Sequence, residues 1–324
     1  MLSYTSLNHP LTFKNKTAMK KIMIIAVMLI GMINNSSAQM QVGQGINPWF
    51  NKSPQLHNMS LMPMSSVPTA TLLAGTRMDA FDRHPSQITG LATGFLTDGV
   101  GIGLKINSET AGLSTNLDAQ LSFCYFVFIN KENGDKLSFT LGGHFIQNKF
   151  SRDDAVVLDP NDPGLTNVSE FQPIGNASGG FSFLRENKYY IGVSAYNLIT
   201  TKNAFKNPAW INPTQRTYYL VGGYTFGLSE KFGLELFGAG VYANEKAYAW
   251  EAGLDLKFNK MLWIGAGYRS AGALKFDVGI TAQSWSFGYL CVYGSWVDAI
   301  TYTYKAVNNS IFIRKVFNEG RSQK

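Results

Sequence analysis

Ionisable and sulfur-bearing side chains are scarce in this chain. Charged residues make up only 15% of its 324 positions, and it holds two cysteines and four histidines. The histidines are widely separated and no HExxH, CxxC or Cys/His cluster occurs, so neither a metal site nor a cofactor is expected. G-x-S-x-G is absent as well, and no Ser, His and Asp stand in a recognisable order; a non-enzymatic protein is the expectation. No arginine-rich stripe is present, which argues against nucleic acid as a partner. Helical periodicity and an ordinary complement of Ala, Glu and Lys are missing too. Past residue 38 no apolar stretch approaches the roughly 20 residues of a spanning helix. If the chain crosses a membrane it must therefore do so as a barrel.

What is present begins with a processing signal. From Met19 the chain reads MKKIMIIAVMLIGMINNSSAQ: a basic region at Lys20 and Lys21, an apolar run from Ile22 to Met32, and the small residues Ser36, Ser37 and Ala38 before Gln39. This pattern predicts a signal peptide over 19–38 with 1–18 as an upstream extension, and hence export. Residues 1–38 carry four lysines and no acid, so their removal lowers the formal charge from +7 to +3. The apparent basicity mostly disappears. Residues 39–69 mix Pro, Asn, Ser and Met without a period and read as an irregular segment that plugs or lines the body. Cys124 and Cys291 each sit in a strand-like run and read as isolated small apolar residues, although export leaves a bridge between them open.

From residue 70 to 317 the chain becomes a succession of strand candidates: 70–81, 86–97, 100–107, 119–129, 136–147, 177–185, 188–196, 217–226, 231–241, 247–258, 261–269, 274–283, 285–294 and 309–317. Residues 318–324 form a tail. Tight polar connections such as ENGD and FNK alternate with long ones at 148–176 and 197–216, the asymmetry of an outer-membrane barrel. Alternation is strict: Leu274, Phe276, Val278 and Ile280 oppose Lys275, Asp277, Gly279 and Thr281, and Leu254 and Leu256 oppose Glu251, Asp255 and Lys257. The fold expected is an all-β, antiparallel transmembrane outer-membrane β-barrel of about 14 strands, with Glu251, Asp255, Lys257, Lys275 and Asp277 facing the lumen and the apolar set facing lipid. Tyr189, Tyr218, Tyr219, Trp250, Trp263, Tyr268 and Trp285 stand near strand ends, where they could form interfacial girdles. A soluble exported β-sandwich accounts for the alternation equally well, but less well for so many consecutive strands.

Glycine runs at 99–103 and 265–272 open no helix and read as small residues in barrel strands, not phosphate cradles. In the loop LDPNDPG, Asp159, Asn161 and Asp162 could offer oxygens to calcium, but Pro160 and Pro163 break that register. These three residues are taken as a partner-binding loop on a rigid turn.

With these segments placed, the chain resembles the PorP/SprF family of type IX secretion system membrane proteins. The stretches that carry the resemblance run in order from His84 to Phe317: HPSQITGLATGFL, GVGIGLKINSETAGLSTNLDAQLSFCYFV, KLSFTLGGHFIQNKFS, VVLDPNDPGLTN, YYIGVSAYNLI, TYYLVGGYTFGLSEKFGL, LWIGAGYRSAGALKFDVGIT and NNSIFIRKVF. NKSPQLHNMSLMPMSS stands where the family usually carries an NPAYAG-like segment. The resemblance implies an outer-membrane protein serving type IX secretion or gliding motility, with other secretion components and secreted cargo as partners and no catalysis. A small-solute channel or an exported adhesin remains as an alternative.

Overall fold

The structure, a computed structural model, describes residues 46–78, 84–111, 114–150, 171–199, 216–243, 248–270, 272–297 and 303–317. The candidate signal, the upstream extension and the loop residues Asp159, Asn161 and Asp162 lie outside them. The described residues form fourteen strands: β1 Thr69–Met78, β2 Ser86–Thr97, β3 Val100–Ala111, β4 Ser114–Asn130, β5 Asp135–Phe150, β6 Phe171–Arg185, β7 Tyr189–Tyr196, β8 Thr217–Gly227, β9 Phe232–Ala243, β10 Tyr248–Phe258, β11 Leu262–Arg269, β12 Ala273–Ala282, β13 Trp285–Val297 and β14 Thr303–Val316. Each pairs antiparallel with its neighbours in sequence, and β1 closes on β14 from Thr69↔Val316 to Met78↔Val307. Closure leaves no strand edge unpaired, as lipid requires. Among the described residues no helix is long and apolar enough to cross a membrane. The crossing falls to the strands.

Local chemistry sets the connections at one end of the barrel. Between β10 and β11, Asn259 and Lys260 both take positive φ (51° and 55°) and the Met261 amide bonds the Phe258 carbonyl at 3.0 Å, a two-residue turn whose twist matches the strands it joins. Asp98-Gly99 serves β2–β3, with Gly99 at φ 104°. Both chain ends of the wall are at this end, where the Phe317 amide bonds the Pro68 carbonyl. The opposite end carries the long connections after β5 and β7. We refer to them as the short-turn and long-loop ends.

The pleat sorts side chains into two faces. On β12, Leu274, Phe276, Val278 and Ile280 are 43–54% exposed, while Lys275 and Asp277 on the other face are 0% and 3% exposed. Apolar residues thus point away from the barrel and charges into it, the inverse of a soluble sandwich and the arrangement of a barrel in lipid. On β7 to β11 outward aromatic pairs stand at both ends: Tyr189 with Tyr224 and Phe232 with Phe258 at the short-turn end, Tyr218 with Tyr242 and Trp250 with Tyr268 at the long-loop end. Two residues expected in such girdles do not belong to them. Tyr219 and Trp263 are buried, 6% and 8% exposed, because both fall on the inward phase of their strands.

Three strands begin earlier than alternation indicates, β4 at Ser114, β6 at Phe171 and β14 at Thr303. Their leading residues show no sustained apolar period: STNLD in β4 offers one apolar residue, Leu117, and FQPIGN in β6 is interrupted by Pro173. The two cysteines lie on opposite faces and are free: Cys124 points inward and is buried, whereas Cys291 points outward. A strand wall separates them, which excludes a bridge.

Candidate functional site

A barrel of eight strands can be filled by its own inward side chains, but one of fourteen encloses more space than they can occupy. Here the remainder is occupied by the segment preceding β1. Residues 46–63 are buried throughout except Asn47 and Lys52, which are half-buried.

The segment is built from local polar turns because its sequence supports no longer element. Asn47 accepts the Trp49 amide at 2.9 Å, Pro54 opens a short 3-10 helix at Pro54–Leu56, and Asn58 caps a second at Met59–Met64 by accepting the Ser60 amide at 3.0 Å. Short irregular structure leaves backbone carbonyls without partners. Four wall cations supply them. Lys275 donates to the Pro48 carbonyl at 2.5 Å, Lys105 to Leu56 at 3.3 Å, Lys136 to Pro63 at 2.9 Å, and Arg314 to Lys52. Hydroxyls on β6 and β7 do the same, Ser182 to the Ser60 carbonyl and Ser194 to that of His57.

Close approach is made possible by inward glycines. Asn58 donates to the carbonyls of Phe181 and Val193, both at 3.1 Å, and a Cβ at Gly180 or Gly192 would fall well inside contact distance of its amide. Ring stacking fills the remaining space: Trp49 lies on Phe312 at 5.1 Å, Phe50 meets Phe237 edge-on at 5.5 Å, and His57 stacks on Tyr219 at 4.5 Å. The His57 Nε2 accepts the Asn47 amide at 2.8 Å and is therefore unprotonated. Burial, with Lys105 and then Arg269 adding repulsion, lowers its pKa from 6.5 to about 3.

The charges singled out from sequence gather around this segment. Lys52 Nζ lies 2.7 Å from Asp255 and 3.6 Å from Asp277, both carboxylates fully buried, and no aligned hydrogen bond is made, so the contact is ionic. Asn51 donates to Asp255 at 3.0 Å, and Lys275 donates to Asn51 at 2.9 Å and to Glu251 at 3.0 Å. Arg269 completes the group on Glu251. Three cations balance three anions, which lets such a cluster persist without water. Asp255 and Asp277 approach each other over Gly265, where any Cβ would collide with both. Lys257 is apart from this group, paired with Glu235 at 2.6 Å near the short-turn end.

Nearer the long-loop end, His144 Nδ1 and Asp118 Oδ1 are 3.0 Å apart, while His144 Nε2 is buried with no hydrogen-bond partner. The His144 ring meets that of Tyr196 edge-on at 5.3 Å. This is an Asp–His pair with no nucleophile on it among the described residues. No group of three or more His, Cys, Asp or Glu side chains converges as metal ligands do among those residues.

The site is therefore a lumen occupied by residues 46–63. Sequence reading missed the partners: the wall cations Lys105, Lys136 and Arg314, and the glycines that admit Asn58.

A family model described as Type IX secretion system membrane protein PorP/SprF matches residues 52–301. Among solved structures, the monoaromatic hydrocarbon channel CymD is 10% identical, covering 85% of this chain and 95% of its own, with a TM-score of 0.49. The Pseudomonas putida toluene transporter TodX is 10% identical over 87% and 96% of the two chains, with a TM-score of 0.48. The Ralstonia pickettii toluene transporter TbuX is 9% identical over 87% and 96%, with a TM-score of 0.47. No curated protein matches the sequence.

Proposed function

The chain belongs to the PorP/SprF family of type IX secretion system membrane proteins, and from that premise we propose that it is a non-enzymatic outer-membrane component that helps export or retain specific secreted proteins at the cell surface. Residues 19–38 direct it across the inner membrane and are removed. The barrel then stands with its short turns toward the periplasm and its long loops, including Asp159, Asn161 and Asp162, toward the exterior. Those loops meet cargo and other secretion components.

The observation that carries this reading, against a solute channel, is the buried segment 46–63. Asp255, Lys275 and Asp277 would line a conducting pore if the lumen were empty; instead they bind the plug, and Glu251 holds Lys275 and Arg269. A wall that spends its inward charges on holding a plug works through its rims. Deletion of the gene should abolish surface display of particular cargo while leaving membrane integrity intact, read by comparing surface and secreted proteomes. Unchanged proteomes would overturn the reading. Purified protein in planar bilayers should show no steady conductance, whereas a steady, solute-selective current would favour the channel.

A further inference from the structure

The outer wall is not evenly covered. On β5 the outward residues run Leu137, Phe139, Leu141, Gly143 and Phe145 before the polar Gln147 and Lys149, so Gly143 interrupts the apolar belt close to its long-loop edge. Across the ladder Phe145 faces Gly175 of β6 on one side and Ala119 of β4 on the other. Ala119, Gly143 and Gly175 floor a depression of about 550 Å³ walled by Leu121, Phe145 and Ile199. Ile199 is fixed in place by Asn176, whose side chain accepts the Ile199 amide at 3.0 Å and donates to its carbonyl at 3.1 Å. The wall itself calls for neither glycine. Both sit mid-strand without the positive φ that favours glycine, and a Cβ at either would meet nothing within 4 Å. Glycine weakens a strand, and its presence there marks a place where a ligand or another chain approaches the backbone closely.

We infer that this groove seats an acyl chain of a membrane lipid whose anionic headgroup lies on the cations at the rim above it. Depth and charge identify the occupant. At the level of the apolar belt there is no water to fill an empty groove, and hydrocarbon that enters it gains the dispersion contacts that the missing side chains forgo. Just above, Lys149 is exposed on the outward phase of β5, about 13 Å along the strand from Phe145. Arg216, exposed where β8 begins, donates to the Leu198 carbonyl at 3.1 Å and so stands beside Ile199. On β3 to β8 no outward acid opposes these cations at the long-loop edge among the described residues. A phosphate held there hangs its chain down the groove. Chain and headgroup are thus bound by separate features, and a zwitterionic headgroup uses only the first in full. The site depends on the barrel's place in a bilayer and not on the secretion role proposed above.

The purified barrel, kept folded in detergent and titrated with phosphatidylglycerol or phosphatidylcholine, gives lipid occupancy by native mass spectrometry. The expected result is one phosphatidylglycerol bound ahead of the rest, at least about fivefold tighter than phosphatidylcholine, the scale of one lysine at a membrane surface. Gly143→Phe fills the groove and should remove that first lipid, whereas Gly240→Phe, on β9 where a Cβ also meets nothing, should keep it. Gly175→Phe fills the floor from β6 and is read in place of Gly143→Phe if that variant does not fold. Lys149→Gln should lower the preference for phosphatidylglycerol by about fivefold and leave phosphatidylcholine binding as it was. Retention of the first lipid by the filled groove, or its equal loss in Gly240→Phe, would overturn the site. An unchanged preference in Lys149→Gln would overturn the headgroup assignment, and a dimer of the parent that Gly143→Phe disperses would give the groove to a second copy instead.

Discussion

Replacing Lys52 by Met retains much of the side-chain volume and removes the charge that lies between two buried carboxylates. In the native protein Lys52 Nζ is 2.7 Å from Asp255 and 3.6 Å from Asp277, with both acids at 0% side-chain exposure. Without it, Asp255 keeps the Asn51 amide, but Asp277 loses its cation, and the two carboxylates face each other over Gly265. Removing one partner of a buried ionic group costs about 3–5 kcal/mol, because the charges left behind have neither water nor a counter-ion. An exposed pair would cost about 0.2–1 kcal/mol. The burial decides for the larger range. Urea unfolding of protein refolded into lipid vesicles can read the difference through tryptophan fluorescence, since Lys52 lies 5.0 Å from the Trp263 ring. Adding Asp277→Asn to Lys52→Met removes the repulsion and should recover part of the loss. A loss below about 1 kcal/mol, or no recovery in the double variant, would refute the argument that this lysine holds the plug electrostatically.

Three further outcomes follow from the packing. Gly265→Ala places a methyl group against Asp255 and Asp277 and should lower stability by about 1–3 kcal/mol, whereas Gly143→Ala, whose Cβ meets nothing within 4 Å, should leave the same urea midpoint unchanged. The unfolded His57 ring accepts a proton near pH 6.5 and the folded ring resists one down to about 3; the stability from its neutral form is full above pH 6.5 and lost as the pH falls toward 3. His57→Gln should accordingly flatten the decline in urea midpoint between pH 7 and pH 4, and an unchanged slope would count against the buried neutral ring. Because Cys124 and Cys291 lie on opposite faces of the wall, reducing agent should leave gel mobility unchanged and thiol counting under denaturation should find both free; a mobility shift abolished by either cysteine's replacement would contradict the register of β4 and β13.

The wall was legible because lipid imposes the same two-residue alternation on all fourteen strands, and LKFDVGIT displays it without interruption. At Ser114–Asp118 a single apolar residue, Leu117, stands among polar ones, and the period fades while the ladder continues. Tyr219 and Trp263 show a different limit. Position near a strand end suggested a girdle, but phase decides the face, and theirs is inward. The charges Glu251, Asp255, Lys275 and Asp277 could be assigned an inward face from alternation alone; their partners could not, since Asn51 and Lys52 are more than 190 residues away in sequence. The irregular segment carries no period from which docking could be read. Its contacts become visible only through complementarity, carbonyls against lysines and Asn58 against glycines.

The seam between β1 and β14 joins ten residue pairs and lies immediately beyond the plug in the chain. Once that seam has zipped, the plug is encircled. Removing it sideways would mean breaking the ladder where hydrocarbon offers the freed backbone groups no substitute partner, and removing it lengthwise would mean dragging Lys52 past its carboxylates. The order of assembly is thereby constrained: residues 46–63 have to be inside while β1 and β14 are still apart, and the nascent wall then wraps around them as a mould forms around a core. An outer-membrane assembly factor that holds the first and last strands apart would set the time available for that seating. A variant with a weakened plug would reveal itself during biogenesis, as barrels closed around an empty or misthreaded lumen, before any defect appeared in the finished protein.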